Sequence, residues 1–178
     1  MALGLWLAKA AQGRVPLPAP PPSADQLLGQ AEATAKSEHK KILVVFGASW
    51  CGPCSMFDKF LNNPQVQAAL NKSFVMVHLD VGEVKGDKAH SNNPGGVEEM
   101  ARLGGGGEGY PYVAMLDDEG NWIADSKMPQ DNEPGRNMGY PSGQAEIDWF
   151  MRMVKKAARD MPAADMKTVR EWLEQRSR

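Results

Sequence analysis

The chain has 178 residues and a mass of 19.4 kDa, enough for one domain of ordinary size with a short appendage and too little for two. Hydrophobic residues make up 42%, charged residues 24%, and the formal net charge is −2, which excludes a disordered or supercharged chain and argues against nucleic acid as a partner. Two cysteines are too few for a disulfide-stapled scaffold and, without a histidine cluster, for a common structural zinc site.

Residues 1–22 carry only Lys9 and Arg14 as charges. The apolar run Ala2, Leu3, Leu5, Trp6, Leu7, Ala8 is followed by Ala8-Lys9-Ala10, which has the small-x-small form of a signal-peptidase site but no positive region before it. Two readings stand side by side: the tail of an export signal that starts upstream, or an unstructured N-terminus that happens to be apolar. The run is far too short for a bilayer, which needs about 20 residues, so no membrane span is expected. Val15 to Pro22 holds five prolines in eight positions and predicts an extended spacer. Residues 1–22 are thus expected to be flexible and 23–178 to form one folded domain. Residues 152–178 hold eight basic and four acidic groups, leaving the middle acidic, a feature of solubility rather than of fold.

Ser23 and Gln26 form a capping-box pattern, and Leu27, Leu28, Ala31 and Ala35 recur at helical spacing up to Lys40. Ile42 to Ala48 is a continuous apolar run rich in β-branched residues, suited to a strand buried on both faces. After Ser49-Trp50-Cys51-Gly52-Pro53-Cys54, the residues Met56, Phe57, Phe60 and Leu61 predict a helix, which Asn62-Asn63-Pro64 interrupts before a further turn or two from Val66 to Leu70. Phe74 to Val81 predicts a second core strand, then come an irregular stretch over 82–96, a helical segment near Val97 to Leu103, and four glycines, Gly104 to Gly107. Tyr112 to Leu116 is the third strand, Asp117 to Gly120 a turn and Trp122 to Ala124 an antiparallel return. Residues 127–143 read as a long polar loop, Gln144 to Met161 as an amphipathic helix, and Val169, Trp172 and Leu173 as the apolar face of a last one. This order predicts a small three-layer α/β domain with a mixed sheet.

Cys51 and Cys54 fall where a buried strand gives way to a helix. The unpaired N–H groups and dipole of a helix N-terminus favour negative charge, so Cys51 is expected to ionise more readily than a free thiol and to act as nucleophile in disulfide exchange. Cys54, one turn on, is placed to attack the mixed disulfide and release the substrate. Gly52 lets a partner's backbone approach, and Pro53 fits the first helical turn, where its missing N–H costs nothing. The competing explanations are a zinc half-site, which would need two of His39, His78 and His90, and a pair of inert core cysteines.

Trp50-Cys51-Gly52-Pro53-Cys54 resembles the active-site motif of the thioredoxin family, and Tyr110-Pro111 matches the place, just before a strand, where that family carries a cis-proline. The resemblance covers about residues 25–160. It implies a thioredoxin-like fold with an N-terminal extension, an enlarged loop before the cis-proline and an extra C-terminal helix. It also implies that Trp50 is exposed beside the dithiol, and that Tyr110 and Pro111 shape a groove in which a bound peptide pairs with the backbone. The sequence departs from thioredoxins proper at two positions: Val45 stands where they carry a buried aspartate that assists the second cysteine, and Met76 where they carry a buried lysine. Glu83, Asp87 and His78 are the alternative proton acceptors for Cys54. The long stretches at 82–109 and 127–143 resemble those of exported bacterial thiol:disulfide interchange proteins.

Lesser features have plainer readings. Gly104 to Gly107 lack a following Gly-Lys-Ser/Thr and are expected to be a flexible loop. Asp117-Asp118-Glu119 suits a hairpin turn better than a calcium loop, and most of the methionines suit gap filling in the core, although Met56 could belong to a partner-binding surface. Trp172 and Leu173 are expected to dock the last helix on its own domain. The function this implies is a protein-disulfide oxidoreductase, more reductase or interchange than oxidase, monomeric, periplasmic or otherwise extracytoplasmic with the cytoplasm as the alternative, and without a cofactor beyond the Cys51–Cys54 disulfide. It would exchange with protein thiols and disulfides and draw on a redox partner. The alternative is a binding module of the same fold, for example one handling Cu(I) through its two thiolates.

Overall fold

A computed structural model describes residues 19–86, 90–131 and 133–176 of the chain. The apolar run at 2–8, Ala8-Lys9-Ala10, residues 15–18 of the proline-rich stretch and Asp87 lie outside these described residues. In chain order the elements are α1 (Ala24–Glu38), β1 (Lys41–Gly47), α2 (Gly52–Leu61), α3 (Pro64–Leu70), β2 (Phe74–Asp80), α4 (Gly96–Met100), β3 (Tyr112–Leu116), β4 (Trp122–Asp125), β5 (Lys127–Gln130), β6 (Glu133–Asn137), α5 (Gln144–Ala157) and α6 (Ala163–Glu174).

The main sheet has the order β2-β1-β3-β4, with β1 parallel to β2 and antiparallel to β3, and β3 antiparallel to β4. This is the mixed sheet expected, and helices cover both faces. Alternate residues of a strand point to opposite faces. Leu43, Val45, Val113 and Met115 therefore pack with Phe57, Phe60, Phe150 and Trp172 of α2, α5 and α6. Ile42, Val44, Phe46, Tyr112 and Ala114 meet Leu28, Ala31 and Ala35 of α1 and Met100 of α4. β1 is the central element, and its unbroken apolar run exists because both of its faces are buried.

Local signals hold well at the helix starts. Ser23 caps α1 with the reciprocal Gln26 bond, and Asn63 caps α3 through its side-chain oxygen, with Pro64 as the first helical residue. Asp117 Oδ1 accepts from the N–H groups of Glu119 and Asn121, which makes the predicted acidic segment a hairpin turn. In α6, Val169 and Leu173 are buried and the Trp172 ring lies 5.2 Å from that of Phe60, so the last helix docks on its own domain.

One expectation is refined and three need correction. β2 sends Phe74, Val77 and Leu79 into the core as expected, but among the described residues it lies at the edge of the sheet with β1 alone beside it, and His78 on it is exposed. The stretch 127–143 contains the β5–β6 hairpin, whose register slips between Met128 and Gln130, at Pro129. Prolines and a glycine hide such a hairpin from propensity, because a strand proline is tolerated only at edges and bulges. α5 ends at Ala157, four residues before the predicted Met161. The non-helical Ala158 and the turn after it still bury Ala158 and Met161, so the apolar pattern outlasts the helix. The glycine run is a packed turn rather than a loose loop. Ala101–Gly105 continue α4 as a π-helical turn, Gly104 takes φ +88, and a Cβ on Gly105 would stand 2.6 Å from the Tyr112 ring.

Candidate active site

Cys51 is the N-cap of α2, and its Sγ accepts a hydrogen bond from the Cys54 N–H at 3.1 Å. The two cysteines form a disulfide with their Cα atoms 5.2 Å apart, and both are buried, at 5% and 2% exposure. No acidic residue stands in the first turn of α2 to offset the positive end of the helix. A thiolate at Cys51 would therefore be favoured by the helix terminus and by a specific N–H donor. Gly52 and Pro53 are exposed, and a Cβ on Gly52 would meet nothing within 4 Å, leaving the rim of the dithiol open to a partner.

Trp50 is 60% exposed and leans on Tyr110 in an edge-on contact with ring centroids 6.3 Å apart. Tyr110 packs on the small cluster of Ala48, Cys51 and Cys54, and the Tyr110–Pro111 peptide bond is cis. The structure thus gathers Trp50, Gly52, Pro53, Tyr110 and Pro111 around Cys51 and Cys54. Met56, one turn into α2, is 44% exposed.

Two inserted stretches hold this arrangement from opposite sides, and the sequence did not reveal either contact. Glu83, in the stretch after β2, accepts from the Ser49 N–H at 2.5 Å and from the Ser49 hydroxyl at 2.7 Å, while the Trp50 indole donates to the Gly82 carbonyl at 2.6 Å. Gly82 is required here, because a Cβ on it would overlap the Tyr110 ring. From the other side, Asn137 at the end of β6 donates to the carbonyls of Gly109 at 2.7 Å and Pro111 at 3.1 Å. Its own carbonyl accepts from the fully buried Ser126, whose Oγ in turn accepts from the Val113 N–H. Asx and serine side chains bonded to nearby backbone are the one local hint such positions give, and it does not name the partner.

Val45 is buried among apolar residues, and Met76, the Cα partner of Leu43, is partly buried against the same cluster, so neither supplies a charge. Of the three alternative proton acceptors, Glu83 is engaged with Ser49, Asp87 lies outside the described residues, and His78 stands next to Gly47. The His78 Nε2 and the Cys54 Sγ each lie 3.3 Å from the point a Cβ on Gly47 would occupy. His78 is flanked by Asp58 of α2, with Nδ1 to Oδ1 at 3.4 Å, and by Asp80, with Nε2 to Oδ1 at 3.7 Å. Burial pushes the Asp80 carboxyl up from its ordinary range, against the opposing pull of His78. Among the described residues no three His, Cys, Asp or Glu side chains are grouped so as to hold a metal ion, and no helix is long and apolar enough to cross a membrane.

The sequence profile of a thioredoxin-like family matches residues 25–118, more than half of the chain. No curated protein matches it in sequence. Among solved structures, a disulphide isomerase from Xylella fastidiosa Temecula1 superposes with a TM-score of 0.50 at 22% identity, over 91% of this chain and 98% of its own. A DsbH oxidoreductase superposes at 0.48 and 19% identity, over 86% and 96%. At these identities the likeness is one of fold.

Proposed function

The chain belongs to the thioredoxin-like family, and from that premise we propose that it is a protein-disulfide oxidoreductase that works as a reductase or interchange enzyme through Cys51 and Cys54. The observation that carries this reading is the N-cap position of Cys51, with its sulfur held by the Cys54 N–H and bonded to Cys54. In the reducing direction the Cys51 thiolate attacks a substrate disulfide, one substrate thiolate leaves, and a mixed disulfide forms. The Cys54 thiol then loses its proton and attacks the Cys51 sulfur. The second substrate thiolate leaves, the Cys51–Cys54 disulfide forms, and two electrons have passed to the substrate. A dithiol donor must then reduce the pair, and no cofactor enters the cycle.

Protein disulfides suit this site better than small ones. Trp50 and Met56 offer exposed apolar surface near the dithiol, and the segment at Tyr110-Pro111 offers backbone beside it for an extended peptide. The Ala8-Lys9-Ala10 pattern supports work in an extracytoplasmic compartment, where dithiol exchange with secreted proteins takes place. Reduction of insulin by wild type and by Cys51→Ser tests the reading: turnover is expected only with Cys51. Equal turnover in the two proteins, or none in either with any dithiol donor, would overturn it. The reduction potential of the pair then decides the direction of electron flow.

A further inference from the structure

The resolving step needs a base, because Cys54 is buried and its thiol must lose a proton before it can attack. The buried carboxylate that serves thioredoxins is absent at Val45. The register of the sheet puts His78 in its place from the neighbouring strand: Val45 and His78 are Cα partners across β1 and β2, so their side chains share the face that α2 covers. The next pair along is Gly47 and Asp80, and the point a Cβ on Gly47 would occupy lies 3.3 Å from the His78 Nε2 and 3.3 Å from the Cys54 Sγ. A side chain at 47 would crowd both groups.

We propose that His78 is the proton acceptor for Cys54 in the resolving step, with Asp58 as the positioning residue that orients its ring. The proposal rests on the oxidoreductase reading above and supplies the base that reading needs. The neutral imidazole takes the proton from Cys54, directly or across one water. The Cys54 thiolate attacks the Cys51 sulfur of the mixed disulfide, the bond from Cys51 to the substrate sulfur breaks, and the departing thiolate is protonated by solvent or by the imidazolium. Asp58 at the Nδ1 side and Asp80 at the Nε2 side stabilise the imidazolium once it forms. Glu83 and His90 also face this side and act on Asp80, Glu83 raising and His90 lowering the pKa of its carboxyl. The His78 side chain is 39% exposed, so the proton can pass on to solvent.

The test separates the two steps in the full-length chain. Reduced wild type and His78→Gln are mixed with a disulfide-bonded fluorescent peptide, and formation and decay of the mixed disulfide are followed by acid quench and mass spectrometry. Formation at Cys51 is expected at the wild-type rate in both proteins. Decay is expected to slow on the order of 10²-fold in His78→Gln, the lower end of what a positioned base contributes. Its wild-type rate should also carry a pH dependence that the variant lacks. In Asp58→Asn the decay should slow less than in His78→Gln and keep a pH dependence, altered from that of wild type, because the ring loses the carboxylate beside its Nδ1. This second variant carries the test if His78→Gln does not fold, which its circular dichroism and urea midpoint reveal. Normal mixed-disulfide formation with unchanged decay and pH profile in these variants would overturn the proposal and leave the oxidoreductase reading intact. Absence of any mixed disulfide at Cys51 in wild type would sink both.

Discussion

The two inserted stretches hold the same site by different physics. The first, after β2, reaches the Ser49-Trp50 turn through Glu83, an acidic side chain at a partly exposed position that accepts from one backbone N–H and one hydroxyl. The second, the β5–β6 hairpin, reaches the Tyr110-Pro111 segment through Asn137, a neutral amide backed by the wholly buried Ser126. A charge near solvent is screened over roughly 8–10 Å and contributes little to stability, whereas a buried neutral group left unpaired costs its full desolvation. The hairpin brace is therefore expected to matter for the fold, and the Glu83 brace for the shape of the turn that presents Cys51.

Substitutions can break that contrast. Asn137→Ala removes the donors to Gly109 and Pro111 together with the acceptor for Ser126, and should cost about 2–3 kcal/mol in urea unfolding while also lowering peptide reduction. A loss below about 0.5 kcal/mol would show that the hairpin does not anchor the segment. Gly82→Ala places a methyl group against Tyr110 and should cost about 1–2 kcal/mol, with a larger fractional loss of activity than of stability, because Tyr110 and Trp50 must both shift. Glu83→Gln keeps an acceptor but loses the charge. Its unfolding midpoint should stay near wild type, its kcat/KM should fall a few-fold, and that difference should shrink as salt is raised from 0.05 to about 0.5 M. If Glu83→Gln proves as destabilising as Asn137→Ala, the distinction between the braces is wrong.

A distant pair gives the smallest effect and serves as a control. The hydrogen bond from Arg170 holds the Asp148 carboxyl below its ordinary range, joining α5 to α6 at an exposed position. A lowered carboxyl contributes stability above its unfolded value and loses it as pH falls through the folded one. Stability measured through that acid range should thus fall slightly more steeply in wild type than in Arg170→Ala, and disulfide exchange at neutral pH should be equal in the two.

Much of the site was legible because its chemistry is local. The C-x-x-C spacing, the strand before it and the helix after it lie within a dozen residues, and helix capping needs only near neighbours. The same holds for the Ser23 cap and the Asp117 turn. What escaped was carried by contacts between residues far apart in sequence: Glu83 with Ser49 across 34 positions, and Asn137 with Gly109 and Pro111 across 28 and 26. Nothing in local periodicity pairs such residues. The hairpin was hidden for a second reason, since Pro129, Pro134 and Gly135 lower strand propensity in a ribbon whose ends are fixed by Ser126 and Asn137.

The sequence by itself determined that two cysteines sit at the start of a helix behind a buried strand, and that the carboxylate of thioredoxins is missing at Val45. It left Glu83, Asp87 and His78 on equal terms as replacements, because their distance to Cys54 depends on how β2 pairs with β1. Only the tertiary structure set that register. Parallel pairing put His78 beside Val45, and Gly47 has no side chain to crowd either the imidazole or the Cys54 sulfur.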